Sequence, residues 1–216
     1  QYVLVPADAV ALMPASLSFS QAATCGVPFI TAWDALERSQ VQADTRFLII
    51  GGGAVASAAQ ALGKARGANV VVGVRRAEVV QDLQARGIKA FQLQQAVQLP
   101  AQARKRFQQQ APEVVFDTTG YWLSAAVDTV DAFGRIAIIA APRDGLINMS
   151  ALDLYRRGGS IIGINSLLYS LQDCARMLEK IGAAFEAGVP VPSGFIELPL
   201  AEAVAAYRKL SEGGSE

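Results

Sequence analysis

The segment 51–56, Gly-Gly-Gly-Ala-Val-Ala, constrains the fold of this 216-residue chain more than any other feature. It follows directly on the apolar run 47–50, and residues 54–66 after it have the alanine-rich character and spacing of a helix. Gly67 is then the residue type that most often ends a helix. A buried strand that turns through glycines into a helix opens many parallel α/β sheets, so we expect the fold to be built around this turn.

The same alternation of apolar runs and helical patterns continues along the chain. The runs predict strands at residues 47–50, 69–74, 88–91, 113–116, 135–140 and 160–164. Helices are predicted at residues 29–38, 54–66, 77–86, 121–130, 150–157, 171–187 and 200–210. Because the strand runs are continuous rather than alternating, both faces of each strand are expected to be covered. These elements predict an α/β Rossmann fold, a doubly wound six-stranded parallel sheet with helices on both faces.

Three segments lie outside this alternation. Residues 2–6 form a short apolar run that a proline ends, which predicts a short or edge strand. Ser18 and Gln21 have the spacing of a capping box and predict a short helix. The glutamine-rich residues 92–110 are interpreted as a surface loop with a solvated helix around residues 104–109.

Composition excludes several classes of protein. The chain is 52% apolar and 18% charged, which suits a packed core, and its 19 basic and 19 acidic residues argue against a nucleic-acid partner. It has no histidine, which excludes Ser-His-Asp catalysis and imidazole zinc ligands within these residues. Cys25 and Cys174 form no paired motif and indicate a reducing, cytoplasmic environment. The uncharged stretches are too broken by proline, glycine and polar residues to predict a membrane span.

The glycine turn matches the pattern G-x-G-x-x-G/A with Gly51, Gly53 and Ala56. The first glycine permits the tight turn, the second allows a pyrophosphate to approach the backbone, and the small third residue lets the helix pack on the sheet. The amides of Ala54 and Val55 are expected to point at the ligand, at the positive end of the helix dipole. The motif in this setting indicates a dinucleotide site; a simple tight turn is the alternative.

The end of the second strand bears on the choice of cofactor. A site for NAD(H) typically has an acidic residue there for the ribose 2′-hydroxyl, whereas this chain has Arg75 and Arg76. Two guanidinium groups suit a 2′-phosphate, so NADP(H) is favoured over NAD(H). A solvated surface pair is the alternative. A Rossmann methyltransferase is the runner-up class. It is disfavoured because such enzymes commonly bind the ribose diol with the same acidic residue, which this chain lacks.

Polar residues follow the later strands, at the sheet edge where ligands of such folds bind. Thr118 and Thr119 follow the fourth strand, and Asn165 and Ser166 follow the sixth; all four are candidates for hydrogen bonds to ribose or carboxamide groups. Candidate backbone contacts after the fifth strand lie at Ala140 and Ala141. Asp117 is interpreted as a cap or turn residue rather than a catalytic acid, and no catalytic residue is assigned.

The chain as a whole resembles the cofactor-binding half of the medium-chain dehydrogenase/reductase superfamily, the zinc-type alcohol dehydrogenase-like proteins. It is most similar to their zinc-free, quinone oxidoreductase-like branch. The order and spacing of the matching stretches are those of the family, and they lie at residues 2–8, 17–23, 31–36, 51–56, 67–70, 115–120, 133–136 and 198–203.

The resemblance implies a domain organisation. Residues 1–21 would be the edge of a GroES-like catalytic domain, residues 22–188 the dinucleotide-binding domain, and residues 189–216 a segment returning toward the catalytic domain. The chain is therefore expected to be the cofactor-binding portion of a longer protein and to be inactive alone, because half of the cleft would be missing. A homodimer joined at the edge strand 160–164 is also implied; an edge covered by the chain's own helices is the alternative.

The resemblance also implies a chemistry. Thr31 would lie near the nicotinamide and Asn165 to Leu167 along its carboxamide, with hydride passing to a small quinone, enone or similar carbonyl acceptor. No catalytic zinc is expected, because Val27 stands where the zinc-dependent branch has a cysteine ligand. The lysine that the family often places after the second strand is also absent. Two alternatives stay open, a zinc-dependent alcohol dehydrogenase with ligands in the missing domain and a non-catalytic nucleotide-binding module.

Overall fold

The computed structural model describes residues 2–212 and shows one sheet with helices on both faces. Its strands are β1 Arg46–Ile50, β2 Asn69–Val74, β3 Ala90–Gln92, β4 Val114–Asp117, β5 Arg135–Ile138 and β6 Ser160–Gly163. Its α-helices are α1 Phe19–Ala23, α2 Gly26–Arg38, α3 Ala54–Ala65, α4 Ala77–Ala85, α5 Leu99–Arg106, α6 Leu123–Thr129, α7 Ala151–Arg156, α8 Leu171–Glu186 and α9 Ala203–Ser211. Short 3-10 turns occur at Ala7–Ala9, Ala96–Gln98, Ser166–Leu168 and Leu200–Glu202.

The sheet has the order β3-β2-β1-β4-β5-β6, and every neighbouring pair is parallel. The chain leaves β1 toward β2 and β3 and later returns to place β4 on the other side of β1. The carboxyl ends of β1 and β4 therefore flank the point where the strand order reverses, which is where such folds bind ligands. The six-stranded doubly wound fold expected from the sequence is confirmed.

Alternate side chains of each central strand enter the two faces of the core. In β1, Phe47 and Ile49 pack into the layer that includes α2, α3 and α8, while Leu48 and Ile50 pack into the layer that includes α5 and α6. All four are almost fully buried. Burial on both faces explains why the strands appear in the sequence as continuous apolar runs.

The helix caps follow the sequence closely. Ser18 and Gln21 form both bonds of the predicted capping box, at 3.2 and 2.8 Å, and begin α1. Ser150 and Ser170 cap α7 and α8 in the same way through their side chains. Most elements lie within two residues of their predicted bounds. Helix α2 differs in beginning at Gly26 rather than at residue 29.

Two predictions were wrong. Residues 2–6 form no strand, because an edge strand needs a neighbour to pair with and no strand among the described residues lies beside them. The glutamine-rich segment carries α5 rather than a solvated helix at residues 104–109. Leu99, Ala103 and Phe107 recur every four residues and are almost completely buried, so this helix packs on the sheet.

The segments outside the sheet bury little. Residues 2–9 and helix α9 have no buried residue within the described range. Residue 1 of the predicted first segment and residues 213–216 of the predicted return segment lie outside the described residues. Across residues 2–212, no helix has both the length and the apolar character needed to cross a membrane.

Candidate functional site

The glycine turn after β1 depends on the absence of a side chain at Gly51. Its φ is +124°, a conformation that residues with a Cβ rarely adopt, and a Cβ there would lie 2.1 Å from the Thr118 hydroxyl oxygen. The Thr118 hydroxyl donates a hydrogen bond to the Ile50 carbonyl at 2.8 Å, and the Gly51 amide donates to the Gly73 carbonyl at 2.9 Å. The ends of β1, β2 and β4 are thus joined around this turn.

The amino end of α3 has the features of an anion cradle. Gly53 is the cap residue, and no side chain among residues 2–212 caps the helix. A Cβ built on Gly53 would meet no described atom within 4 Å. The amides of the first turn, at Ala54, Val55 and Ala56, have no partner within the helix by its geometry. This end of α3 therefore combines free amide donors, the positive end of the helix dipole and open space.

A groove of about 570 Å³ begins at the same point. Gly53 and Ala54 line one part of it, and the groove continues along α3 as far as Lys64. Segment 190–195 forms the opposite wall. Of the predicted cofactor residues, only Gly53 and Ala54 are among the residues that line this groove.

Asp117 holds the loop that follows β4. Its carboxylate is fully buried and accepts four hydrogen bonds, from the amides of Thr119, Gly120 and Trp122 and from the Thr119 hydroxyl, at 2.8 to 3.1 Å. A Cβ at Gly120 would lie 2.5 Å from the backbone of Ala140, so the loop packs tightly on the end of β5. The interpretation of Asp117 as a turn residue is confirmed.

Replacing Asp117 with alanine is expected to lower the free energy of unfolding by about 3 kcal/mol, because it leaves several buried amides without an acceptor. Urea denaturation followed by circular dichroism measures the change. Asp128→Ala, at an exposed carboxylate on α6, is the matched control and is expected to change stability by less than about 0.5 kcal/mol. Equal stability of the two variants would show that the loop does not depend on this carboxylate.

The two arginines lie where β2 ends. Arg75 and Arg76 are exposed, and a Cβ at Gly52 would lie 3.3 Å from Val74, so the glycine turn and the end of β2 are adjacent. Arg76 is the cap residue of α4, and its guanidinium lies 3.6 Å from the Glu78 carboxylate, with both side chains about 70% exposed. An ion pair this exposed is weak and is easily replaced by a stronger anion.

The remaining predicted residues lie toward β6. The Thr31 hydroxyl donates to the Ser166 hydroxyl at 3.1 Å, so α2 and the turn after β6 are in contact. Asn165 accepts a hydrogen bond from the Leu167 amide at 3.1 Å and begins the 3-10 turn. The structure therefore brings together two pairs of predicted residues, Gly51 with Thr118 and Thr31 with Ser166. The loop that carries Thr118 and Thr119 packs through Gly120 on the predicted residues Ala140 and Ala141.

The sequence did not reveal two residues of this region. Tyr169 donates a hydrogen bond to the buried Asp34 carboxylate at 2.6 Å. This bond and partial burial raise the pKa of Tyr169 above its ordinary value. The available signal was the spacing of Thr31, Asp34 and Arg38, which places three polar side chains on one face of α2.

The chain offers little for a metal. Residues 2–212 contain no group of three or more histidine, cysteine or acidic side chains placed to hold an ion. Val27, at the position of the family's cysteine ligand, is exposed. Cys25 is buried, its thiol donates to the Gln21 carbonyl at 3.3 Å, and burial raises its pKa. These described residues do not fit a zinc site.

Comparison with known proteins identifies the family. A family model described as zinc-binding dehydrogenase matches residues 54–183, which is more than half of the chain. The chain belongs to this zinc-binding dehydrogenase family. A zinc-type alcohol dehydrogenase-like protein of Schizosaccharomyces pombe is 33% identical over 193 residues, covering 87% of this chain and 55% of the relative. The predicted membership of the medium-chain dehydrogenase/reductase superfamily is confirmed.

Solved structures of other proteins have the same fold. An NAD-dependent alcohol dehydrogenase has a TM-score of 0.83 at 24% identity, covering 97% of this chain and 60% of that one. A quinone oxidoreductase of Thermus thermophilus, solved also in complex with NADPH, has a TM-score of 0.71 at 25% identity, covering 94% and 65%. The chain thus spans between half and two thirds of the length of these relatives.

Proposed function

We propose that this chain binds NADP(H) and forms the cofactor-binding part of an oxidoreductase that moves hydride between nicotinamide and a small quinone, enone or similar carbonyl acceptor. One observation carries the proposal. The uncapped amino end of α3 follows a glycine turn at the reversal point of a doubly wound sheet, with two arginines at the end of the adjacent strand. Family membership supports the same function.

The pyrophosphate is assigned to the first turn of α3. The amides of Ala54 and Val55 donate to its oxygens, and the open space at Gly53 admits the group close to the backbone. Thr118 acts indirectly, since its hydroxyl is engaged with the Ile50 carbonyl and fixes the turn. It retains lone pairs that can accept a hydrogen bond from the ligand.

The 2′-phosphate is assigned to Arg75 and Arg76. Their guanidinium groups are exposed and can form charge-assisted bonds to phosphate oxygens. Binding there would displace Glu78 from its weak pair with Arg76. One structural neighbour was solved with NADPH and another is NAD-dependent, so the choice of NADP(H) rests on the two arginines alone.

The nicotinamide end is assigned to Thr31, Asn165 and Ser166, with the backbone of Ala140 and Ala141 beside them. When bound, the cofactor supplies the hydride. The contribution of this chain is to orient the ring and limit water around it. Thr119 donates its hydroxyl to Asp117, so its proposed contact with the cofactor is through an acceptor lone pair.

The test is oxidation of NADPH by the native protein that contains this chain, with a panel of quinones, enones and simple ketones, followed by nicotinamide absorbance. NADPH-dependent reduction of an electron-poor acceptor is expected. The 216-residue chain alone is expected to bind cofactor without turnover. Quinone reduction by the isolated chain, or binding without reduction of any acceptor by the native protein, would contradict the proposal.

A zinc-dependent alcohol dehydrogenase is the second candidate. The description of the matching family and the zinc-type relative from Schizosaccharomyces pombe favour it. Its zinc ligands would have to come from residues beyond this chain. Metal analysis of the native protein, together with alcohol oxidation before and after chelation, separates this candidate from the first.

We also propose a homodimer through the free edge of β6. Within the described residues, β6 pairs with β5 alone, and its Ile161 and Ile162 are only half-buried. A second copy can extend the sheet across this edge. Sedimentation equilibrium measures the oligomeric state, and a protein that stays monomeric at all concentrations would contradict the proposed homodimer.

A further inference from the structure

One face of α2 is bonded along its length to the segment 163–169, which joins β6 to α8. Arg38 donates to the Gly163 carbonyl at 2.6 Å, Thr31 donates to Ser166 at 3.1 Å, and Tyr169 donates to Asp34 at 2.6 Å. The three α2 residues span two helical turns, about 10 Å along the helix axis. The bonds therefore reach both ends and the middle of the segment.

The bond between Asp34 and Tyr169 has a buried carboxylate as its acceptor. Asp34 is only 3% exposed, and a hydroxyl donating to a carboxylate at this distance forms a charge-assisted bond. The second carboxylate oxygen of Asp34 has no hydrogen-bond partner among the described residues, and the Arg38 guanidinium lies 3.8 Å away. Loss of Tyr169 would leave the buried carboxylate with this long ion pair alone.

The segment has little apolar packing to hold it between its ends. Ile164 is buried, but Leu167 and Leu168 are 87% and 81% exposed. Asn165 and Ser166, which are assigned to the nicotinamide end of the site, lie in this same stretch. Their placement therefore depends on side-chain bonds to α2 rather than on the core.

We propose that Asp34 and Tyr169 are positioning residues, which hold Asn165 and Ser166 in the geometry that receives the nicotinamide. The inference rests on the proposed function, since it assigns these residues a role toward the same cofactor. It predicts that loss of the bond weakens binding of the nicotinamide end and leaves binding of the adenine end unchanged.

The experiment compares two ligands on the 216-residue chain, NADPH and 2′-phospho-ADP-ribose, which lacks the nicotinamide. Tyr169→Phe is expected to raise the Kd for NADPH about fivefold and to change that for 2′-phospho-ADP-ribose by less than about twofold. Asp34→Asn, which keeps an oxygen acceptor for Tyr169, is expected to keep the Kd for NADPH within about twofold of that of the unaltered chain. Tyr155→Phe, at an exposed tyrosine on α7, is the control.

Thermal unfolding shows that each variant is folded. Arg38→Ala gives a second test, since the Arg38 side chain bonds the other end of the segment as well as pairing with Asp34. The same selective loss of NADPH binding is expected for it. Equal weakening of both ligands, or no effect on either, in Tyr169→Phe and Arg38→Ala would overturn the positioning role. If the unaltered chain binds neither ligand, the proposed function itself fails, and this inference fails with it.

Discussion

Replacing Gly51 with alanine is expected to lower the free energy of unfolding by about 3 kcal/mol. Two effects add at this position. The φ of +124° is strained for any residue with a Cβ, and the new methyl group would lie 2.1 Å from the Thr118 hydroxyl oxygen. Moving Thr118 away breaks its bond to the Ile50 carbonyl, which holds the ends of β1 and β4 together. Urea denaturation measures the change.

Gly53→Ala is the matched control, because it places the same methyl group in the same turn. Gly53 has a φ of −82°, and a Cβ there meets no described atom within 4 Å. Its stability is expected to change by less than about 1 kcal/mol. The methyl group would occupy the space assigned to the pyrophosphate, so the affinity for NADPH is expected to fall at least about tenfold. A destabilised Gly53→Ala variant, or a Gly51→Ala variant as stable as the original, would contradict the assigned roles.

The double variant Arg75→Ala/Arg76→Ala is expected to raise the Kd for NADPH at least about 50-fold and to leave the Kd for NADH within about twofold. The two guanidinium groups are assigned to the 2′-phosphate, which NADH lacks. Because both side chains are exposed at the end of β2, their removal is not expected to disturb the core. Equilibrium titration by nicotinamide fluorescence gives both values.

A charge-matched control is available for this double variant. Arg104→Ala/Lys105→Ala removes two positive charges from exposed positions on α5, away from the end of β2. It is expected to change the Kd for NADPH by less than about twofold, a difference of the size that long-range electrostatics supply in ordinary buffer. A loss of NADPH affinity equal to that of the arginine variant would mean that net charge, and not the two arginines, favours the phosphate.

The fold was largely predictable because its signals are local. Each central strand is buried on both faces and appears as a continuous apolar run, and Gly67 and Gly87 mark the ends of α3 and α4. Strand β3 was predicted at residues 88–91 but spans Ala90–Gln92. Its pairing with β2 begins at Ala90 opposite Val72. That register depends on the neighbouring strand and is not visible within residues 88–92 themselves.

The helix α5 was misplaced for a different reason. Glutamines dominate its segment, and the apolar stripe of Leu99, Ala103 and Phe107 is sparse. A spacing of four residues among so many polar neighbours was interpreted as solvated surface. The position of the helix is set by burial of this apolar stripe against the sheet and not by the composition of the segment.

The candidate site was predictable where residues are adjacent in sequence and not where they meet across the fold. The glycine turn and the arginine pair are local patterns. Asp34 and Tyr169 are 135 residues apart, and nothing in either stretch predicts their bond. The hydroxyls of Thr118 and Thr119 were predicted as ligands of the cofactor, and the structure shows both donating to protein oxygens. Hydroxyl groups follow β4 and β6, and only the three-dimensional structure shows which of them already donate within the protein.

Titration of the unaltered 216-residue chain with NADPH and, separately, NADH tests the central claim most directly. Nicotinamide fluorescence reports binding, and circular dichroism on the same sample shows that the chain is folded. The site described here predicts saturable binding of NADPH with a Kd at least about tenfold lower than that of NADH. A folded chain that binds neither, or binds both equally, would contradict it.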